Sequence, residues 1–227
     1  MSSLKDSIEK AELALRLGNI VEAADRLGCL PDCGGIPDPE EKGRALSVRG
    51  ALRYHQGRIP EAVADLREAE ALLQAVCGER CVPRATAAMY LGRALVAQGD
   101  LEPGRSLGLL AMQIFEETLP EEDPPIAESC FLLSQAAYQL GDLDSAEFLT
   151  RRAMAIWEKL QGRECLGVST CLNNLGRICE ERGMLQAGID LHRQALAIRR
   201  TLLGDHEETA FSLGNLGPAL ASDGQWP

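Results

Sequence analysis

Eight cysteines and three histidines are the side chains of this sequence best suited to metal binding or nucleophilic attack. Cys29/Cys33 and Cys77/Cys81 each have a three-residue gap, which lets two thiolates share one metal ion. Zinc sites combine such an element with a second two-ligand element. The two pairs fall near the ends of successive helical segments, so a joint four-cysteine site is geometrically conceivable, but unpaired thiols are the expectation. Cys29, Cys77, Cys130, Cys171 and Cys179 lie in or beside predicted helices, where a reduced cysteine acts as a small hydrophobe. Of the histidines, His55 stands near a turn, His192 beside the apolar seam of a helix and His206 in a loop. None adjoins a serine or cysteine in a nucleophile context, and no helix carries the H-E-x-x-H spacing of a zinc hydrolase. The glycines are spread singly, not clustered after a strand as a phosphate loop needs. Glu180 and Glu181 are adjacent, so on a helix they point in different directions and cannot act as an acid/base pair. The sequence predicts no catalysis, no cofactor and no metal.

The elements that carry these residues recur at a fixed interval. Gly57, Gly99, Gly141 and Gly183 are equally spaced along the chain. Ala69, Ala111, Ala153 and Ala195 keep the same spacing, as do Ala62, Gly104, Ala146 and Gly188. Helical amphipathicity repeats every three or four residues and cannot generate so long a period; a stacked array of helical units can. Ala146, Leu149, Ala153, Ile156 and Leu160 form a one-face seam on one helix, and Gly188, Leu191, Ala195, Ile198 and Leu202 on another. The small members of each seam predict close approach between paired helices.

Charge and composition restrict the partners. A formal net charge of −11 over 227 residues argues against nucleic acid, which needs clustered Lys and Arg. The N-terminus MSSLKDSIEK lacks the apolar run of a signal peptide, and no stretch reaches the roughly 20 apolar residues of a membrane span. A cytoplasmic protein without membrane contact is expected.

In chain order, residues 1–39 form an irregular helical pair, with Leu4, Ile8, Ala11 and Leu15 on one face and a turn at Leu17-Gly18-Asn19. The run from Pro31 to Pro39 is predicted to be non-helical. Residues 40–208 hold four tandem units, 40–82, 83–125, 126–165 and 166–208. Pro60 and Pro103 begin second helices, where a proline costs no intrahelical hydrogen bond. The acidic segment from Glu116 to Pro125 reads as a solvated connection. Residues 209–227 supply the first helix of a further unit or a C-terminal cap. Their apolar Phe211, Leu213, Leu216, Leu220 and Trp226 favour a piece of a longer array.

These units resemble tetratricopeptide repeats. The resemblance rests on Leu91-Gly92, Leu175-Gly176 and Leu216-Gly217, with Leu133-Ser134 as a near match, followed by the turn glycines and the small residues beyond them. The common unit has about 34 residues, and the interval from Gly141 to Gly183 is longer. This longer form, with the segments CLNNLG and ALAIRRTLLGDHEETA, is similar to the repeats of kinesin light chain and its bacterial relatives. The resemblance implies an all-α, right-handed α-α superhelix, a solenoid of about five helix-turn-helix units plus a terminal helix. It also implies that a peptide or extended segment of a partner protein lies in a concave groove lined by the first helices. The groove positions carried over are Asn173, Asn174, Asn215, Arg177, Arg93, Tyr90, Gln135, Tyr138 and Phe131. In that setting Asn174 and Asn215 hold a peptide backbone, because an amide both donates and accepts. Arg177 and Arg93 grip a carboxylate. Tyr90, Tyr138 and Phe131 add contact surface. The Lys/Asn/Arg clamp for chaperone tails is not reproduced in three consecutive units, so that ligand is not expected. Two alternatives remain open: self-association into a homo-oligomer through the apolar terminal helix, and a metal- or redox-responsive protein using the cysteine pairs.

Overall fold

A computed structural model describes residues 4–16, 19–28, 33–78, 80–204 and 207–222. Leu17, Gly18, Cys29, Pro31, His206 and Trp226, named above, lie outside the described residues. Among those described there is no strand. The helices are α1 (Leu4–Arg16), α2 (Ile20–Gly28), α3 (Pro39–His55), α4 (Ile59–Cys77), α5 (Val82–Gln98) and α6 (Leu101–Thr118). They continue with α7 (Pro124–Gln139), α8 (Leu143–Gln161), α9 (Leu166–Glu181), α10 (Leu185–Leu203) and α11 (Glu207–Ser222). The fold is all-α and built of repeated helix pairs, as the equally spaced small residues predict.

The expectation that the segment from Pro31 to Pro39 is non-helical needs correction. Cys33–Gly35 form a single 3-10 turn, and Pro39 is the first residue of α3. Proline suits that position because its missing N–H would have had no partner there. Asp38 caps the helix by accepting from the Glu41 N–H at 2.8 Å.

Gly57, Gly99, Gly141 and Gly183 all have positive φ, between 73° and 92°, so each turn between paired helices uses a backbone conformation open mainly to glycine. Ala69, Ala111, Ala153 and Ala195 are all fully buried. Helices pair through a slot that recurs at each repeat. In α3 and α4 a Cβ on Gly50 would lie 2.5 Å from Leu66 Cγ. In α5 and α6 a Cβ on Gly92 would lie 2.8 Å from the Gly104 carbonyl oxygen. In α7 and α8 the hydroxyls of Ser134 and Thr150 meet at 2.6 Å. In α9 and α10 a Cβ on Gly176 would lie 2.6 Å from His192 Cε1. Gly50, Gly92, Ser134 and Gly176 keep the same interval as the turn glycines.

The chain divides into two compact units, residues 1–132 and 133–227, with the division inside α7. In the first, Ile8, Ile36, Leu46, Ala69, Leu73 and Ala87 form a shared core joining α1, α3, α4 and α5. In the second, Val168, Leu172 and Ala195 pack with Trp157 and Ile198, while Ile189, Leu196, Leu216 and Ala219 join α10 to α11.

Gly92→Ala therefore gains about 1 kcal/mol of helix propensity but forces a methyl onto the Gly104 backbone, a type of overpacking that costs typically about 1–3 kcal/mol. Because backbone cannot rotate away, the second effect wins. Urea unfolding is expected to show a net loss for Gly92→Ala. Gly214→Ala, where nothing lies within 4 Å of the added methyl, should be neutral or stabilising.

Candidate functional site

In the second unit, the last two turns of α7 and the middle of α9 enclose a small polar pocket of about 100 Å³. Gln135, Tyr138 and Gln139 come from one face of α7, and Asn174, Arg177 and Ile178 from one face of α9. Both triplets have the i, i+3, i+4 spacing that stacks side chains on a helix. The Arg177 guanidinium lies over the Tyr138 ring, 4.3 Å from its centroid. This cation–π contact fixes the planar fork without consuming its charge. Tyr138 donates its phenolic hydrogen to Glu181 Oε1 at 3.0 Å. Burial, reinforced by the Glu181 carboxylate and opposed by Arg177, raises the phenol above its ordinary pKa, so it stays a donor. Among the described residues no carboxylate pairs with Arg177, and the amides of Gln135 and Asn174 make no hydrogen bond within the protein. Thus four of the side chains expected in the groove, Gln135, Tyr138, Asn174 and Arg177, meet in one place. Gln139 and Ser134 also line the pocket and were not anticipated there. Gln139 was detectable as the residue one helical turn after Gln135.

Asn173 is a correction. It is only 2% exposed, and both ends of its amide are engaged internally. Its Nδ2 donates to Ser212 Oγ at 3.1 Å, and its Oδ1 stands 3.0 Å from His192 Nδ1. Successive residues on a helix diverge by about 100°, so Asn173 points inward when Asn174 points out. The other ring nitrogen of His192 lies 3.0 Å from Glu180 Oε1. Arg199 donates to Ser212 Oγ at 2.6 Å and to Thr170 Oγ1 at 3.0 Å. The resulting network ties α9, α10 and α11 together. Burial lowers the His192 pKa, with the Glu180 carboxylate pulling the other way. Asn215 stands on α11 directly before Leu216-Gly217, as Asn174 stands before Leu175-Gly176 on α9. Its Nδ2 is shielded, with no hydrogen-bond partner among the described residues.

In the first unit Arg93 is not a free grip for a carboxylate. It donates to Glu128 at 3.0 Å and its guanidinium lies 4.9 Å from the Tyr54 ring centroid and 5.6 Å from that of Tyr90. Burial raises the Glu128 pKa against the pull of Arg93. Tyr90 is buried, so its ring serves the packing of this cluster and the floor of a cavity beside it. Phe131 is half-buried on α7 and does not line that cavity.

No group of three potential metal ligands converges among the described residues. Burial, with Cys81 as neighbour, pushes the Cys77 thiol up to about 12, so it is protonated near neutrality. No described helix is long and apolar enough to cross a membrane.

Residues 132–201 match the family model of the tetratricopeptide repeat. No curated protein matches the chain. Among solved structures, it is similar to BtubC (BKLC) from P. vanneervenii, at 22% identity and a TM-score of 0.67 over 98% of this chain and 83% of that one. It is similar to the TPR-like repeats of a protein from Podosopora anserina designated a kinesin light chain, at 22% identity and a TM-score of 0.56 over 89% and 97%. A Rap protein complexed with Competence and Sporulation Factor gives a TM-score of 0.78 at 13% identity, over 98% of this chain and 61% of that one. At these identities the likeness establishes the helical-repeat fold.

The buried histidine makes stability depend on pH. A folded pKa below the unfolded value of about 6.5 means that the unfolded chain binds the proton more readily. Stability from this group is complete above about pH 6.5 and falls as the pH drops below it. Urea titrations between pH 7 and pH 5 should show a loss for the wild type that is smaller in His192→Gln.

Proposed function

We propose that this tetratricopeptide-repeat protein is a non-catalytic interaction scaffold that holds an extended segment of a partner protein against its first helices. In the second unit the contact is made by Arg177, Asn174 and Gln135. The observation that carries this reading is the state of Arg177, stacked on Tyr138 and without a carboxylate partner among the described residues. A chain with a net charge of −11 offers many internal acids, and other arginines use them: Arg182 pairs with Glu147 and Asp144, and Arg93 with Glu128. Arg177 is aimed instead at a pocket with two unengaged amides. An amide donates to one peptide carbonyl and accepts from one peptide N–H, which suits extended backbone. The guanidinium adds a two-pronged site for a side-chain or terminal carboxylate.

Exposure on α11 supports a second reading. Phe211 is 60% and Leu213 44% exposed, and exposed apolar surface of this kind favours association between copies.

Affinity capture with the wild-type chain and with a variant carrying Asn174→Ala and Arg177→Glu tests the first reading, with circular dichroism confirming equal helicity. The expected result is a protein retained by the wild type and lost by the variant. A charge-assisted hydrogen bond contributes about 1.5–3 kcal/mol, so Arg177→Ala alone should weaken binding roughly ten- to a hundredfold. Identical capture by both chains would remove Arg177 and Asn174 from the account. For the second reading, sedimentation should show a mass that rises with concentration and falls to the monomer in Phe211→Ser.

A further inference from the structure

The first unit holds a cavity of different chemistry. First-helix residues of α1, α3 and α5, with the opening turns of α7, enclose about 220 Å³. That is below the roughly 300–1,000 Å³ of sites for drug-sized ligands and fits one bulky side chain. Its walls include Leu13, Val48, Met89 and Tyr90, and Leu13 is 53% exposed at the wall although it is apolar. Among the described residues no lysine or arginine lines it, whereas Glu9, Glu12 and Glu128 do.

These three acids are unequally neutralised. Glu12 receives two hydrogen bonds from Arg44, at 2.9 and 2.6 Å. Glu128 receives one from Arg93 at 3.0 Å. Among the described residues Glu9 has a single long contact, 3.9 Å from Arg44, and its side chain is half exposed. Among the described residues two guanidiniums therefore stand behind three carboxylates, and the surplus negative charge sits at Glu9 on the mouth of an apolar cavity. An occupant that satisfies both features must bring an apolar side chain for the interior and a cation for the mouth.

Resting on the scaffold reading above, we infer that this cavity takes a leucine-, isoleucine-, methionine- or phenylalanine-sized side chain of a partner segment, with a lysine or arginine beside it paired to Glu9. The chemistry is opposite to that of the Arg177 pocket, which selects an acid. Burial of the apolar side chain supplies affinity, and the Glu9 contact supplies orientation and rejects acidic neighbours.

The test is selection from a display library of randomised nonapeptides on the full chain and on three variants. Leu13→Asp and Glu9→Lys alter exposed positions of the cavity, and Arg177→Glu alters the second unit. Circular dichroism checks each fold. The wild type should enrich peptides in which a bulky apolar residue adjoins Lys or Arg. Leu13→Asp should abolish the apolar preference, and Glu9→Lys should abolish the basic one. A synthetic copy of the leading peptide should lose at least about fivefold in affinity for each. An enriched motif that is unchanged in both variants, or that has acidic residues beside the apolar one, overturns the inference. If such a motif disappears only in Arg177→Glu, the scaffold reading stands and this cavity has no part in it. Enrichment of nothing by any chain overturns both.

Discussion

Close approach between the two helices of a repeat is the constraint on which the rest of this structure depends. The two facing positions share the volume of the slot between them. Glycine faces leucine at Gly50 and Leu66, and glycine faces glycine backbone at Gly92 and Gly104. Two hydroxyls meet at Ser134 and Thr150, and glycine faces an imidazole at Gly176 and His192. Close-packed interiors tolerate neither a void nor an extra methylene, so each facing position is fitted to the other, with different chemistry from repeat to repeat. That freedom lets a repeat place a polar group in its interior wherever the opposite position is small enough.

The second unit uses this freedom most. Glycine at position 176 admits His192, and His192 links Asn173 to Glu180. Asn173 in turn reaches Ser212 of the last helix. A buried polar chain of this kind is favourable only when its members find partners, which makes it a device for holding α9 in one rotation. With α9 so held, the opposite edge of its surface presents Asn174 and Arg177 beside Gln135 and Tyr138. The outward pocket and the inward network are two faces of one helix, and the glycine in the slot serves both.

Much of this was legible in the sequence because it depends on fixed intervals. The turn glycines and the buried alanines could be read from their equal spacing, as could the helix pairs. Gln135, Tyr138, Asn174 and Arg177 could be named because their positions within a first helix repeat. What could not be read were contacts between side chains far apart in the chain. Arg93 looked like a free cation because nothing local announces Glu128, which lies on the next first helix. Asn173 looked like its neighbour Asn174 until Ser212 and His192 were seen to engage it. His192 read as a residue beside the seam because its burial depends on the absence of a side chain at Gly176.

The central claim is that facing positions share the volume of one slot, and a double-mutant cycle at Gly50 and Leu66 tests it most directly. Gly50→Ala inserts a methyl 2.5 Å from Leu66 Cγ, and Leu66→Ala removes the atoms it meets. Shared volume predicts that the double variant is more stable than the sum of the two losses by more than about 0.5 kcal/mol, beyond the scatter of independent sites. Additivity within that scatter would show that each position packs on its own and would contradict the account.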